Sequence, residues 1–560
     1  MKIRFITLFL FISILLNAQS TYYVATTGGN AGHTGAIDDP WLTITYAESQ
    51  MSGGDTLFIR EGTYVERVYI DGIDGTAVNR TVISGYESEI VIIDGEYTLP
   101  GGTGSYWYTF FTVIADNYVT LQKVTIKQST GGLLAITGNY SYAINITGDG
   151  SYETGIELIG NYCLLDSSSM TDNGNHYGIG GQPTWGAAIG VQGDYCIVQN
   201  CTSYENRGEG LNMHKGPVGS TVQDCIAYDN QSLNLYFQGS TDCVAQRNML
   251  YYTDDYSATS GRNITIASET GLPNHGATII NNVCWNGFVN FETDSNLSEL
   301  VNVIIANNTF VNARGNWDAG YRFGVYLRTN LVYFENSIFK NNIIIEDEVA
   351  GRYPISLPSS HTGLTLDYNL WNETPVVAAI GASDVVSTPH FTDSLIYDFT
   401  LKASSPAIDA GDVVGVYEDY LEELRDDIPD IGAYEFDPPE PPAYASIISG
   451  MAKAWTRGAT VENNLLTDGG GTVSRKGVCW ALTTNPTVAG DHTEDGTDLG
   501  YYTSIIVGLT KSTTYHYRAY VENEYGRTYG QDLTFTTPAY THVFYKGDYV
   551  NKNKKAYIVR

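Results

Sequence analysis

The chain has 560 residues, 42% of them hydrophobic and 12% aromatic, with 30 Lys and Arg against 62 Asp and Glu. A formal charge of −32 argues against nucleic acid or an anionic membrane as a partner, because a surface of that sign repels both. The length exceeds one ordinary core, so several units or a solenoid are expected, and seven Cys without close regular spacing do not make a disulfide framework.

Lys2 and Arg4 precede an apolar run from Phe5 to Leu16, and Asn17-Ala18-Gln19 follows it. A charged start, a short apolar core and a small-residue exit are the order of a signal peptide, assigned to residues 1–19. The expected location is secreted or cell-surface, without membrane insertion, since no later run reaches the ~18–20 apolar residues of a spanning helix. Tyr, Gly, Asn, Thr and Ile are plentiful beyond this point and Ala- or Leu-rich helical stretches are nearly absent, which predicts an all-β chain. Residues 20–100 are read as an N-terminal cap and first coils, and 101–394 as a solenoid.

The solenoid repeats itself. Val198-Gln199-Asn200-Cys201, Val222-Gln223-Asp224-Cys225, Ala245-Gln246-Arg247-Asn248, Ile279-Ile280-Asn281-Asn282, Ile305-Ala306-Asn307-Asn308 and Phe339-Lys340-Asn341-Asn342 share one pattern, and Asn369 continues its last position. The spacing runs from 23 residues (Cys225 to Asn248) to 34 (Asn248 to Asn282). A fixed motif at a variable interval means coils of constant cross-section with loops of different length. Stacked Asn at one position can then hydrogen-bond along the axis and satisfy buried turn amides.

A second strand follows each motif, with apolar pairs Ile189/Val191, Leu211/Met213, Leu235/Phe237, Ile264/Ile266, Val289/Phe291 and Val325/Leu327 pointing inward. The period of two places the intervening residues outside. Outward columns can therefore be written down: Gly190, Asn212, Tyr236, Thr265, Asn290 and Tyr326; then Gln192, His214, Gln238, Ala267, Glu292 and Arg328; then Asp194, Gly216, Ser240, Glu269, Asp294 and Asn330. Two long loops, Asn173 to Ala187 with Trp185 and Asn312 to Phe323 with Trp317, are expected to wall this face into a cleft.

With its opening Tyr22-Tyr23-Val24, Asp39-Pro40-Trp41, Gly54-Asp55-Thr56-Leu57-Phe58-Ile59 and Gly62-Thr63-Tyr64-Val65-Glu66, the chain resembles the pectate-lyase-like family over roughly Thr21 to Asn372. The resemblance implies a right-handed parallel β-helix and a polysaccharide partner. It leaves the activity open, because that fold carries lyases, hydrolases, epimerases and adhesins.

Further along, Ser405-Pro406-Ala407-Ile408-Asp409-Ala410-Gly411 and Asp430-Ile431-Gly432-Ala433-Tyr434-Glu435 resemble a module that closes such helices, assigned to 395–437. Residues 438–443 read as a Pro-rich extended linker. Gly477-Val478-Cys479-Trp480, Leu509, Thr514 to Ala519 and Phe535 to Pro538 look like a fibronectin type III domain, a small β-sandwich over 444–538. The basic tail 539–560 suits attachment to a cell surface or to secretion machinery.

Two chemistries fit the columns. A hydrolase needs two carboxyls at a set separation, and Glu269 and Asp294 share a column on adjacent coils with Glu292 close by. A lyase needs a base and a neutraliser for a uronate: His214 and Lys215 supply base or clamp, Arg328 the neutraliser, Tyr236 a proton donor, and a calcium ion would suit the same task. Tyr236, Trp185, Trp317 and Tyr326 are the expected sugar contacts. The third reading is a glycan-binding adhesin without catalysis.

Overall fold

The computed structural model describes residues 19–99, 109–174, 186–253, 261–267, 272, 274–292, 299–312, 323–327, 333–346, 353–357, 363–375, 379–437 and 444–539. The chain divides into two compact units, Met1–Phe436 and Asp437–Arg560.

The first unit is a right-handed parallel β-helix whose described strands build three faces. On one face Ile197, Thr221, Val244, Thr278, Ile304 and Ile338 lie opposite one another on successive coils. On the next, the register runs Thr202, Ile226, Met249, Val283, Thr309 and Ile343. Alternate residues point inward and form one continuous core from Val24 to Ala379, with Leu165, Val198, Val222, Ala245 and Ile279 stacked in order. Near the start, a short helix, Ile44–Glu48, is capped by Thr43 and buries Ile44 and Ala47 in that core.

The corner between these two faces explains the recurring motif. Asn200, Asp224, Arg247, Asn281, Asn307 and Asn341 all take φ of 53–55°, the left-handed turn that Asn and Asp tolerate best. The residue after each points inward. There Asn248 Nδ2 donates to Asn282 Oδ1, Asn282 to Asn308, and Asn308 to Asn342, each at 3.0 Å, and Asn342 to Asn369 at 3.2 Å. The same oxygens accept the backbone N–H of the preceding coil. The six cysteines between Cys163 and Cys284 are free and buried, as small core residues.

The segment read as a closing module runs along the flank of this corner, where an end cap was expected. Arg425 donates to Asn281 Oδ1 (2.9 Å), Asn307 to the Asp430 carbonyl (3.3 Å) and Asn341 to the Asp412 carbonyl (2.7 Å), while Arg247 pairs with Glu422 (3.1 Å). The corner side chains that the stack leaves pointing outward thus become the docking row. Phe399, Ala433 and Tyr434 cover Trp285 and Val311 beside it.

In the second unit, strands Ser446–Ile448, Ala452–Trp455, Gly458–Thr467 and Gly500–Val507 form one antiparallel sheet. Val473–Ala481, Thr514–Asn523, Gly526–Tyr529 and Leu533–Thr536 form the other. Val461 and Ile506 from the first pack with Val478, Tyr517 and Phe535 from the second, which makes a sandwich. The proposed signal segment up to residue 18, the linker 438–443 and the tail from 540 lie outside the described residues.

Candidate functional site

The third face carries the candidate site. Its relevant strands are β1 (Ile156–Leu158), β2 (Ile189–Val191), β3 (Glu209–His214), β4 (Leu233–Gln238), β5 (Arg262–Ala267), β6 (Phe288–Glu292) and β7 (Phe323–Leu327). Pairing places Glu157, Gly190, Asn212, Tyr236, Thr265, Asn290 and Tyr326 in one column. His214, Gln238, Ala267 and Glu292 form the neighbouring one. The inward pairs from Ile189/Val191 to Ile264/Ile266 are fully buried, as the period of two requires.

Glu157, on β1, heads the first column and was not singled out from the sequence. Its carboxylate crosses the coil of β2 to reach β3: His214 Nε2 lies 2.7 Å from Glu157 Oε1, and Gln192 Nε2 donates to the same oxygen at 2.8 Å. A carboxylate only accepts, so Nε2 carries a proton in this contact. The crossing is possible because residue 190 is glycine. A Cβ there would sit 2.6 Å from both Glu157 oxygens.

The pair is nearly closed to solvent, with side chains 14% exposed for His214 and 6% for Glu157. Burial alone pushes the Glu157 carboxyl up. The charge and hydrogen bond of His214, the hydrogen bond from Gln192 and the charge of Lys215 outweigh that, so its pKa falls below the ordinary value and it is ionised. Lys215 is exposed and held at φ 63° as the chain leaves β3. Four residues before Glu157, burial raises Glu153 to about 7.

Other expectations change. The outward column is buried: Asn212, Tyr236, Thr265 and Asn290 are at most 6% exposed. Tyr236 packs with Leu233 and Ala267 in a small apolar cluster, so its ring is not offered to a sugar from solvent. His214 and Glu292 stand three strand spacings apart, about 14 Å at the backbone, too far for direct partnership. Tyr326 keeps its expected place in the column. Glu269, Asp294, Arg328, Trp185 and Trp317 lie outside the described residues, as does the Glu292 side chain. Among the described residues no group of three or more His, Cys, Asp or Glu is arranged to hold a metal.

The signal for Glu157 was in the sequence. Extending the inward pairs back one coil gives Ile156/Leu158, with an acidic residue between them directly before Gly190 in the column.

Residues 22–231 match the family model described as Pel9A-like, right-handed β-helix region. The chain is 32% identical over 146 residues to pectate lyase PEL9 of Emericella nidulans, a match covering 25% of this chain and 35% of that protein. It is 25% identical over 159 residues to the uncharacterized protein YwoF of Bacillus subtilis, covering 28% and 31%. The matches thus span about a third of the length of these curated relatives. The crystal structure of pectate lyase Pel9A aligns over 75% of this chain and 97% of its own, at 14% identity and a TM-score of 0.45. What this chain shares with these proteins is the right-handed parallel β-helix.

Proposed function

We propose that the protein is an exported polysaccharide lyase whose reaction centre is His214, oriented by Glu157 and flanked by Lys215. The observation behind this reading is the buried 2.7 Å carboxylate–imidazole pair beside an exposed ammonium, in a chain 32% identical over 146 residues to pectate lyase PEL9. In an elimination, a base takes the proton α to a uronate carboxylate, a cation neutralises the carboxylate, and the glycosidic oxygen on the adjacent carbon leaves with a proton taken from water as the double bond forms. His214 Nδ1 is the base. Glu157 fixes the ring and stabilises the imidazolium that forms. Lys215 holds the uronate carboxylate, a task a calcium ion serves equally well in such chemistry. The second unit, fibronectin type III-like in this reading, and the basic tail serve as spacer and attachment.

A hydrolase reading has one observation in its favour. Glu153 is raised to about 7 while Glu157 is lowered, and carboxyls pushed in opposite directions suit an acid and its counterpart. A panel of acidic and neutral polysaccharides separates the readings. New ultraviolet absorbance together with reducing ends supports elimination, and reducing ends alone support hydrolysis. Binding without either product supports an adhesin.

A further inference from the structure

The second unit differs from the first in charge. Residues 437–560 carry 12 Asp and Glu against 12 Lys and Arg, so the whole formal charge of −32 belongs to the first unit. Two copies of the chain repel each other through their coils and meet no such barrier at their sandwiches.

The sandwich leaves one long strand edge open. Among the described residues Gly500–Val507 pairs with Gly458–Thr467 and with no other strand, in eight consecutive pairs without a register shift. An antiparallel edge strand turns the N–H and C=O groups of alternate residues away from its one partner. Proteins blunt such an edge with charge, Pro, a bulge, a short strand or a cover. The free side of Val473–Ala481 is covered in this way by residues 491–496. There Trp480 N donates to the Asp491 carbonyl (3.0 Å), Thr493 N to that of Val478 (2.8 Å) and Asp495 N to that of Lys476 (2.8 Å). The far side of Gly458–Thr467 is split between Ser446–Ile448 and Ala452–Trp455, three and four residues long. Gly500–Val507 has neither device: it runs for eight residues and contains no charged residue and no Pro. Ser504 and Ile506 face the core, whereas Tyr501 is 85% exposed, Ile505 59% and Val507 65%, with Thr503 exposed among them.

We infer that Gly500–Val507 is a homodimer interface, in which the strand pairs antiparallel with the same strand of a second copy. Such a pair has a two-fold axis and is self-complementary, so each copy satisfies the outward N–H and C=O groups of the other. Centred on Ser504, it sets each Tyr501 opposite the other copy's Val507 and each Thr503 opposite the other copy's Ile505. Aromatic and β-branched side chains in these positions stabilise an antiparallel ladder. The strand offers no charge by which to select a charged partner, and a second copy brings the same neutral edge.

Sedimentation of the full chain over a concentration series tests this, at low and at high salt. The mass is expected to rise from one chain to two with concentration. More dimer should form at high salt, where the repulsion between first units is screened. Backbone amides of 500–507 should exchange hydrogen more slowly in the dimer. Ile505→Lys puts like charges close together across the axis at an exposed position. It should weaken association at least about 10-fold without lowering the melting temperature. A chain that is monomeric at every concentration overturns the inference and leaves the edge to a strand from a different protein. A dimer that salt dissociates, or whose 500–507 amides exchange as fast as in the monomer, is built elsewhere and overturns it too. Should Ile505→Lys fail to fold, hydrogen exchange in the wild type decides alone.

Discussion

The Asn corner and the third face are built from the same coils, and both bury polar side chains, yet they do so differently. At the corner each amide from Asn248 to Asn342 donates to the next coil, and Asn369 ends the row by donating back to the Phe339 and Asp367 carbonyls, so the row is complete. On the face, Glu157 skips a coil to find His214, while Asn212 Oδ1 and Thr265 Oγ1 find no partner. A buried polar row with all its partners holds coils together.

The widest separation between the two regions comes from His214→Ala. Loss of a positioned base should slow product formation about 10²- to 10⁴-fold in the molecules still folded, while the hydrogen bonds of the corner stay in place. Gly190→Ala should act on the same centre from one coil away, since its Cβ would meet both Glu157 oxygens at 2.6 Å. The check is the rate of unsaturated-product formation for both variants, with circular dichroism to confirm the fold.

Asn282→Ala is the converse change. It leaves the backbone N–H of Asn248 and one of its two amide hydrogens without an acceptor, the other keeping the Val222 carbonyl, and should cost about 2–4 kcal/mol in denaturant unfolding. The activity of the molecules still folded should not change.

A third effect depends on pH. Glu153, at the edge of the face, has its pKa raised by burial from 4.5 to about 7. The folded protein therefore holds a proton that the unfolded chain has lost, and stability falls as pH rises from about 4.5 to 7. The loss is about 3 kcal/mol over that window, and Glu153→Gln should flatten it in unfolding curves taken across the range. The smallest effect is expected at the outer corner, where Ser167 is exposed at φ 52°. Ser167→Gly should change stability by no more than about 1 kcal/mol, because glycine accepts that turn without strain.

What could be read from the sequence follows the same division. The corner was legible because its information is local and periodic: a left-handed residue, Asn or Asp except for Arg247, then an inward Cys or Asn, recurs from coil to coil between Asn200 and Asn342 and fixes which residues lie opposite. The column from Gly190 to Tyr326 and the one from His214 to Glu292 were legible for the same reason. The bond from Glu157 to His214 was not, because it joins residues 57 apart across a coil that contributes only a missing side chain. Burial of the face was also missed. The period of two tells inside from outside, and outside was taken to mean solvated. The segment 395–437 docks along the flank of the coils, inside the first unit. Its place along the flank follows from which corner side chains remain outward, and that is a property of the assembled coils.

The reaction centre is tested most directly by the initial rate of ultraviolet-absorbing product from the best polysaccharide of the panel, wild type against Glu157→Gln. Glutamine keeps an acceptor for His214 but removes the charge that stabilises its protonated form, so the rate should fall at least about 100-fold. A rate within twofold of wild type would contradict the account.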